Sequence, residues 1–117
     1  MIHVSPGETA SEAIAVAQGI VQYVDALLVD SRTVDRLGGT GMTHDWSISA
    51  AVGSAVKVPL VLAGGLHPEN VAAAIAAVHP ATVDVNSGVE NGRGDKDPER
   101  CSAFVGAALK AERPHRL

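Results

Sequence analysis

Leu27-Leu28-Val29-Asp30-Ser31 is an apolar run that stops abruptly in a carboxylate and a hydroxyl. So short a run between turn signals reads as a buried strand. The pattern recurs in Val61-Leu62-Ala63-Gly64-Gly65 and in Val83-Asp84-Val85-Asn86-Ser87-Gly88. Each run breaks into acid, amide, hydroxyl or glycine at its C-terminal end, and helical sequence follows. In a parallel α/β fold the C-terminal strand ends all face one way. These groups therefore converge on one mouth, which is where such folds do their chemistry.

Upstream, Ile2-His3-Val4 reads as a first strand. Ser5-Pro6-Gly7-Glu8 has capping-box spacing with Pro at the first helical position. Ala10, Ala13, Ile14 and Ala17 keep helical spacing, and Gly19 is placed to stop that helix. The second strand runs over 26–29 and is closed by Asp30. A glycine-rich loop, Leu37-Gly38-Gly39-Thr40-Gly41, leads to Asp45, the expected N-cap of a short helix reaching Val52. The third strand is expected over 58–63. Pro68 opens a helix with Val71, Ala74, Ile75 and Val78 on one face. The fourth strand covers 82–85, a polar loop 86–96 follows, and Asp97-Pro98 caps the last helix. That helix is expected to bury Cys101, Phe104, Val105, Ala108 and Leu109.

The result is four βα units at a pitch of about 25–30 residues, which predicts a parallel sheet with right-handed crossovers. No linker or low-complexity segment interrupts them, so residues 1–117 read as a single α/β domain. A closed (β/α)8 barrel takes eight such units and about 250 residues. This chain holds the equivalent of half.

Composition narrows the function classes. The chain is 46% hydrophobic, with one each of Trp, Tyr and Phe, which favours close helix-on-sheet packing over an aromatic binding surface. A net charge of −4 without a basic stripe argues against nucleic acid and anionic membrane as partners. The basic residues Lys110, Arg113, His115 and Arg116 fall where a last helix ends, a position that suits its dipole. A single cysteine, Cys101, forbids an internal disulfide and fits a reducing cytoplasm. No stretch approaches the roughly 18 apolar residues of a membrane span, and the N-terminus reads as carrying no secretory signal.

Asp30, at the end of an apolar strand, is expected to be partly desolvated with a raised pKa, the property of a general acid near neutral pH. Capping of the next turn is the alternative. Gly64-Gly65 and Ser87-Gly88 let backbone N–H groups approach an anion closely ahead of a helix. Barrels of this class commonly hold phosphate after their last two strands; ordinary strand-to-helix turns are the plainer reading. Alternation places Asp84 and Asn86 on one face of the fourth strand. A carboxylate on a buried face needs either a structural partner or a substrate. The loop around Gly39 has the flexibility of a lid. His3, His44, His67, His79 and His115 show no metal-ligand spacing, and Cys101 sits on an apolar helical stripe as a packed thiol. Arg93-Gly94-Asp95 is an integrin-type tripeptide by chance.

Taken together, these segments resemble the phosphoribosylanthranilate isomerase family. The matching stretches are residues 27–31, Gly38-Gly39-Thr40-Gly41-Met42-Thr43-His44-Asp45-Trp46-Ser47, and Leu62-Ala63-Gly64-Gly65-Leu66-His67-Pro68-Glu69-Asn70-Val71. Val83-Asp84-Val85-Asn86-Ser87-Gly88-Val89-Glu90 and Lys96-Asp97 complete the set. Met42 and His44 depart from the family's usual polar or basic and aromatic residues. The run 84–90 and the loop 38–47 argue against half of another phosphate-binding barrel, such as an epimerase.

The resemblance implies a TIM barrel and an Amadori rearrangement in tryptophan biosynthesis. Asp30 takes the role of general acid. Gly39, Gly64, Gly65, Asp84, Asn86, Ser87 and Gly88 take substrate and phosphate contacts. No cofactor or metal is implied. The family's general base is a cysteine on its first strand, whereas this chain starts at what resembles the fifth. Cys101 matches the outer face of the last helix instead. An open half-barrel exposes sheet edges, so the expected partner is a second copy or a complementing N-terminal half-barrel, alongside a small sugar-phosphate substrate. A non-catalytic sugar-phosphate-binding module is the alternative.

Overall fold

The computed structural model describes residues 1–4, 9–31 and 46–112. Four strands, β1 (Ile2–Val4), β2 (Leu27–Ser31), β3 (Leu60–Leu62) and β4 (Thr82–Val83), form one parallel sheet in the order β1-β2-β3-β4. They alternate with helices α1 (Ala10–Ile20), α2 (Trp46–Ala55), α3 (Val71–Val78) and α4 (Pro98–Glu112). Consecutive helices pack side by side, α1 on α2, α2 on α3 and α3 on α4. Sequence order equals spatial order throughout, as in an arc of a barrel wall.

The register explains which side chains are covered. Ile2 lies opposite Val29, Val29 opposite Leu62 and Leu62 opposite Val83, so these four share one face. With Val4, Leu27 and Leu60 they form the sheet side of a core filled from the helices by Ala13, Ala17, Val52, Val71, Ala74, Ile75, Val78 and Phe104. His3 pairs with Asp30 in the next row, on the opposite face. That face bears Leu28 and Val61, which are only half-buried and stand outside the core.

Helix α3 is the clearest product of its sequence. Val71, Ala74, Ile75 and Val78 are its buried residues, while Ala72, Ala73, Ala76 and Ala77 are exposed. It ends at His79, whose left-handed φ of 54° closes the helix where glycine is more usual.

Several boundaries differ from the sequence expectation. Helix α1 is capped by Thr9: its hydroxyl accepts the Glu12 N–H at 3.2 Å, and the Glu12 carboxylate accepts the Thr9 N–H at 2.9 Å. The expected cap at Ser5 therefore gives way to a second capping box four residues on; Ser5 itself lies outside the described residues. Gly19 does not stop α1, which reaches Ile20 and tightens into a 3-10 turn over Val21–Tyr23. In α4 only Phe104 is fully buried, with Cys101 and Ala108 half-buried, while Val105 and Leu109 are 54% and 53% exposed. Their side of the helix faces away from α3 and the sheet. Lys110 sits in the last turn of α4, as its charge favours. Asp45, His44, the loop around Gly39 and the tail 113–117 lie outside the described residues.

Candidate functional site at the strand C-terminal ends

The three strand ends do meet on one rim. The Ala63 N–H donates to the Val29 carbonyl and the Asp84 N–H to the Leu62 carbonyl, both at 2.9 Å, extending the ladder one residue past β3 and β4. Asp30, Ala63 and Asp84 thus stand in one row. Adjacent strands lie about 4.8 Å apart, so Asp30 and Asp84 flank a gap of roughly 10 Å on the open face. Asp30 is half-buried. Asp84 lies just beyond β4 and is exposed, so the expectation of a carboxylate on a buried face does not hold for this chain. Among the described residues, Leu28 and Val61 on that face stay only half-buried.

After β3 the backbone turns sharply through Gly64 and Gly65, with φ of 93° and 70°, a region where side chains are strained. Leu66 then dives into the core at 2% exposure and anchors the loop. Asn70 straps it: its Oδ1 accepts the His67 N–H at 2.8 Å, and its Nδ2 donates to the Gly65 carbonyl at 3.0 Å. After β4 the chain makes a 3-10 turn over Ser87–Val89, anchored by the buried Val89.

The two loops touch at one point. A Cβ on Gly88 would stand 1.8 Å from the Leu66 carbonyl oxygen and 3.0 Å from the His67 Cα. Only glycine lets these backbones approach so closely, and this contact brings the Gly64-Gly65 loop against Ser87-Gly88. Among the described residues no acceptor takes the Ser87 or Gly88 N–H. Unpaired backbone N–H groups beside a glycine turn are what an anion requires.

Two cations hold this rim together, and neither stood out in the sequence for that role. The Lys96 ammonium donates to the Asn86 carbonyl at 3.0 Å, to Asn86 Oδ1 at 2.6 Å and to Glu90 Oε2 at 2.8 Å, which uses all three of its protons. Both Asn86 oxygens are thereby engaged, and its Nδ2 donates to no described residue. Arg100, in the first turn of α4, donates from Nε to the Gly88 carbonyl and from Nη2 to Glu69 Oε1, each at 3.1 Å. The guanidinium beside it holds the Glu69 carboxyl below its ordinary pKa. Both cations bind acceptors six or more residues away, two of them backbone carbonyls, and no local motif announces such a partner.

Other candidates fall elsewhere. Gly39 is outside the described residues. Cys101 packs against the core between α4 and the sheet. His67 lies beside Glu69 with its Nδ1 3.1 Å from Oε1, and His3 and His79 are exposed. A cavity of about 540 Å³ opens at the opposite end of the sheet, between α2 and α3. Small and apolar residues such as Gly53, Pro59, Leu60 and Val78 line much of it, and it collects no convergent acids or amides.

Residues 7–107 match the family model for N-(5'-phosphoribosyl)anthranilate (PRA) isomerase. The chain is 48% identical over 98 residues to the N-(5'-phosphoribosyl)anthranilate isomerase of Haloferax volcanii, covering 84% of this chain and 44% of that protein. Among solved structures it resembles monomers generated from the dimeric enzyme of Thermotoga maritima, with a TM-score of 0.67 at 32% identity, over 93% of this chain and 47% of that one. It also resembles a phosphoribosyl anthranilate isomerase in complex with reduced 1-(o-carboxyphenylamino)-1-deoxyribulose 5-phosphate. There the TM-score is 0.68 at 30% identity, over 92% of this chain and 47% of the other. The chain thus spans about half the length of the relatives it matches. Its matched residues take in all four strands but the first, together with the whole described rim, and the chain belongs to the N-(5'-phosphoribosyl)anthranilate isomerase family.

Proposed function

We propose that this chain supplies the acid and the phosphate grip of a phosphoribosylanthranilate isomerase. The observation that carries this reading is the Gly88–Leu66 contact, which joins the Gly64-Gly65 turn to the open Ser87 and Gly88 N–H groups on the same rim as Asp30. The substrate phosphate sits against the backbone of Gly64, Gly65, Ser87 and Gly88, with Asn86 Nδ2 and the loop around Gly39 as further contacts. The ribose then extends across the row towards Asp30, and Asp84 borders the ribose or the anthranilate.

In the Amadori rearrangement Asp30 protonates the ribose ring oxygen. The C1′–O bond breaks and the anthranilate nitrogen lone pair forms the Schiff base. A general base takes the C2′ proton, its electrons form the enolamine, and tautomerisation gives the ketose. The reaction is an isomerisation that uses no external oxidant and, in this reading, no cofactor.

The base and the rest of the anthranilate pocket come from the other half-barrel, which covers the open face. Residues 1–117 act as one half-barrel unit. A complementing N-terminal half-barrel supplies the cysteine base and pairs the free edges of β1 and β4. A second copy closes the same edges but brings no base to the mouth, and such a homodimer binds sugar phosphate without turning it over. No described helix is long and apolar enough to cross a membrane, and we assign the chain to the cytoplasm.

Titration of the chain with ribose 5-phosphate, followed through its backbone amides, tests the grip. Shifts concentrated at Gly65, Ser87 and Gly88 are expected. Shifts absent there, or centred on the cavity between α2 and α3, would overturn it.

A further inference from the structure

We propose that Arg100 is a positioning residue that locks the Gly64–His67 loop and the Ser87–Val89 turn into one rigid anion-gripping unit. The phosphate reading above underlies its functional meaning, while the mechanical lock stands on geometry alone. Gly88 has no side chain through which the fold can hold it, and its Cα side is already pressed against the Leu66 carbonyl. What remains to grasp is its own carbonyl, and Arg100 Nε takes it at 3.1 Å. The same guanidinium reaches Glu69 Oε1 at 3.1 Å, just ahead of α3 and two residues past His67. One planar fork therefore ties the loop after β3 to the turn after β4.

The arrangement suits arginine specifically. Its donors point in fixed, divergent directions, whereas a lysine ammonium at the end of a flexible stem cannot hold both acceptors in one geometry. The Arg100 and Glu69 side chains are 36% and 64% exposed. An ion pair so open to water adds little to global stability. The value of the contact is local: it fixes the Gly88–Val89 peptide, and with it the direction of the Ser87 and Gly88 N–H groups. Lys96 does the equivalent for Asn86 from the other side, so each end of the turn is held by one cation.

Arg100→Met, Arg100→Lys and Glu69→Gln in the full chain test the lock with two readouts: exchange of the hydrogen-bonded amides of His67, Asn70 and Glu90, and affinity for inorganic phosphate. Arg100→Met is expected to speed exchange at both loops together and to weaken phosphate about tenfold, the scale of one charge-assisted hydrogen bond. Its melting midpoint stays within about 3 °C of the parent. Arg100→Lys keeps the charge but stays close to Arg100→Met in both readouts. Glu69→Gln keeps the Gly88 contact and gives a smaller change of the same kind, which decides the matter if the Arg100 variants fail to fold. Unchanged exchange and affinity in Arg100→Met, faster exchange at Glu90 alone, or full rescue by lysine overturns the lock. If the parent takes no phosphate yet both loops loosen together in Arg100→Met, the phosphate reading falls and the lock stands.

Discussion

Leu62 and Leu28 lie on adjacent strands, carry the same side chain and meet opposite surroundings. Leu62 points under the helices and is fully buried, whereas Leu28 points to the open face and is half-buried. The helix-clad face has its whole complement: Ile2, Val4, Leu27, Val29, Leu60 and Leu62 all join one core. The open face has Leu28 and Val61 beside His3, Asp30, Thr82 and Asp84. An apolar side chain thus announces that a surface wants cover without saying what supplies it. The open face is also the one that the proposed site borders, with both carboxylates and the two glycine turns at its rim.

The largest expected contrast is between truncations on the two faces. Leu62→Ala should cost about 4 kcal/mol, because a fully buried leucine leaves a cavity that rigid neighbours cannot fill. Leu28→Ala in the isolated chain should cost about 1 kcal/mol, since water already reaches it. Urea unfolding of both variants checks this, and equal losses would mean that the open face is covered in solution by a partner copy. In the presence of a complementing half the two costs should converge.

Where the two faces meet at the rim, Gly88→Ala should cost about 3 kcal/mol, since the added methyl collides with a backbone carbonyl and not with a side chain that can turn aside. Ligand contact at Gly65 should be lost with it. A cost near zero would show that the two loops part easily and would remove the basis for a shared grip. Away from the rim, Thr9→Ala should cost about 1 kcal/mol through loss of the α1 cap, with no effect on ligand binding.

The smallest effect is a pH dependence. Thr9 N–H and hydroxyl hold the Glu12 carboxyl below its ordinary pKa of 4.5, and Arg100 does the same for Glu69. Both are depressed carboxylates, so their contribution is full above that ordinary value and is lost as pH falls through the lowered one. Melting midpoints recorded downward from pH 6 should begin to drop below about pH 4.5. In Glu12→Gln a slightly smaller drop is expected, and Glu69→Gln should behave likewise.

Much of the fold was readable because its signals are local. The four strands, their parallel order and the buried positions of α3 follow from apolar runs and from a period of 3.6. The start of α1 was misread because Ser5-x-x-Glu8 and Thr9-x-x-Glu12 are capping boxes in succession, and spacing alone cannot rank them. Gly19 was read as a stop although a glycine inside a helix costs only about 1 kcal/mol, which neighbouring packing outweighs. Val105 and Leu109 looked like core because they continue the apolar stripe of α4, yet only the side bearing Phe104 meets α3 and the sheet. At the rim, Asp30, Gly64, Gly65 and Gly88 were visible as strand-end chemistry. The roles of Arg100 and Lys96 were not, because each bonds groups that only the folded chain brings near, and the strap made by Asn70 depends on the turn at Gly64-Gly65.

We propose that Asp30 is the acid of an isomerase whose base lies on the opposite half of the barrel. Mixing the chain with a separately expressed N-terminal four-unit half of a family member, and assaying turnover of N-(5-phosphoribosyl)anthranilate, tests it directly. Activity is expected from the mixture and from neither part alone, and Asp30→Asn should lower it by about 100-fold or more. Activity that never appears on mixing, or that survives Asp30→Asn unchanged, would contradict the account.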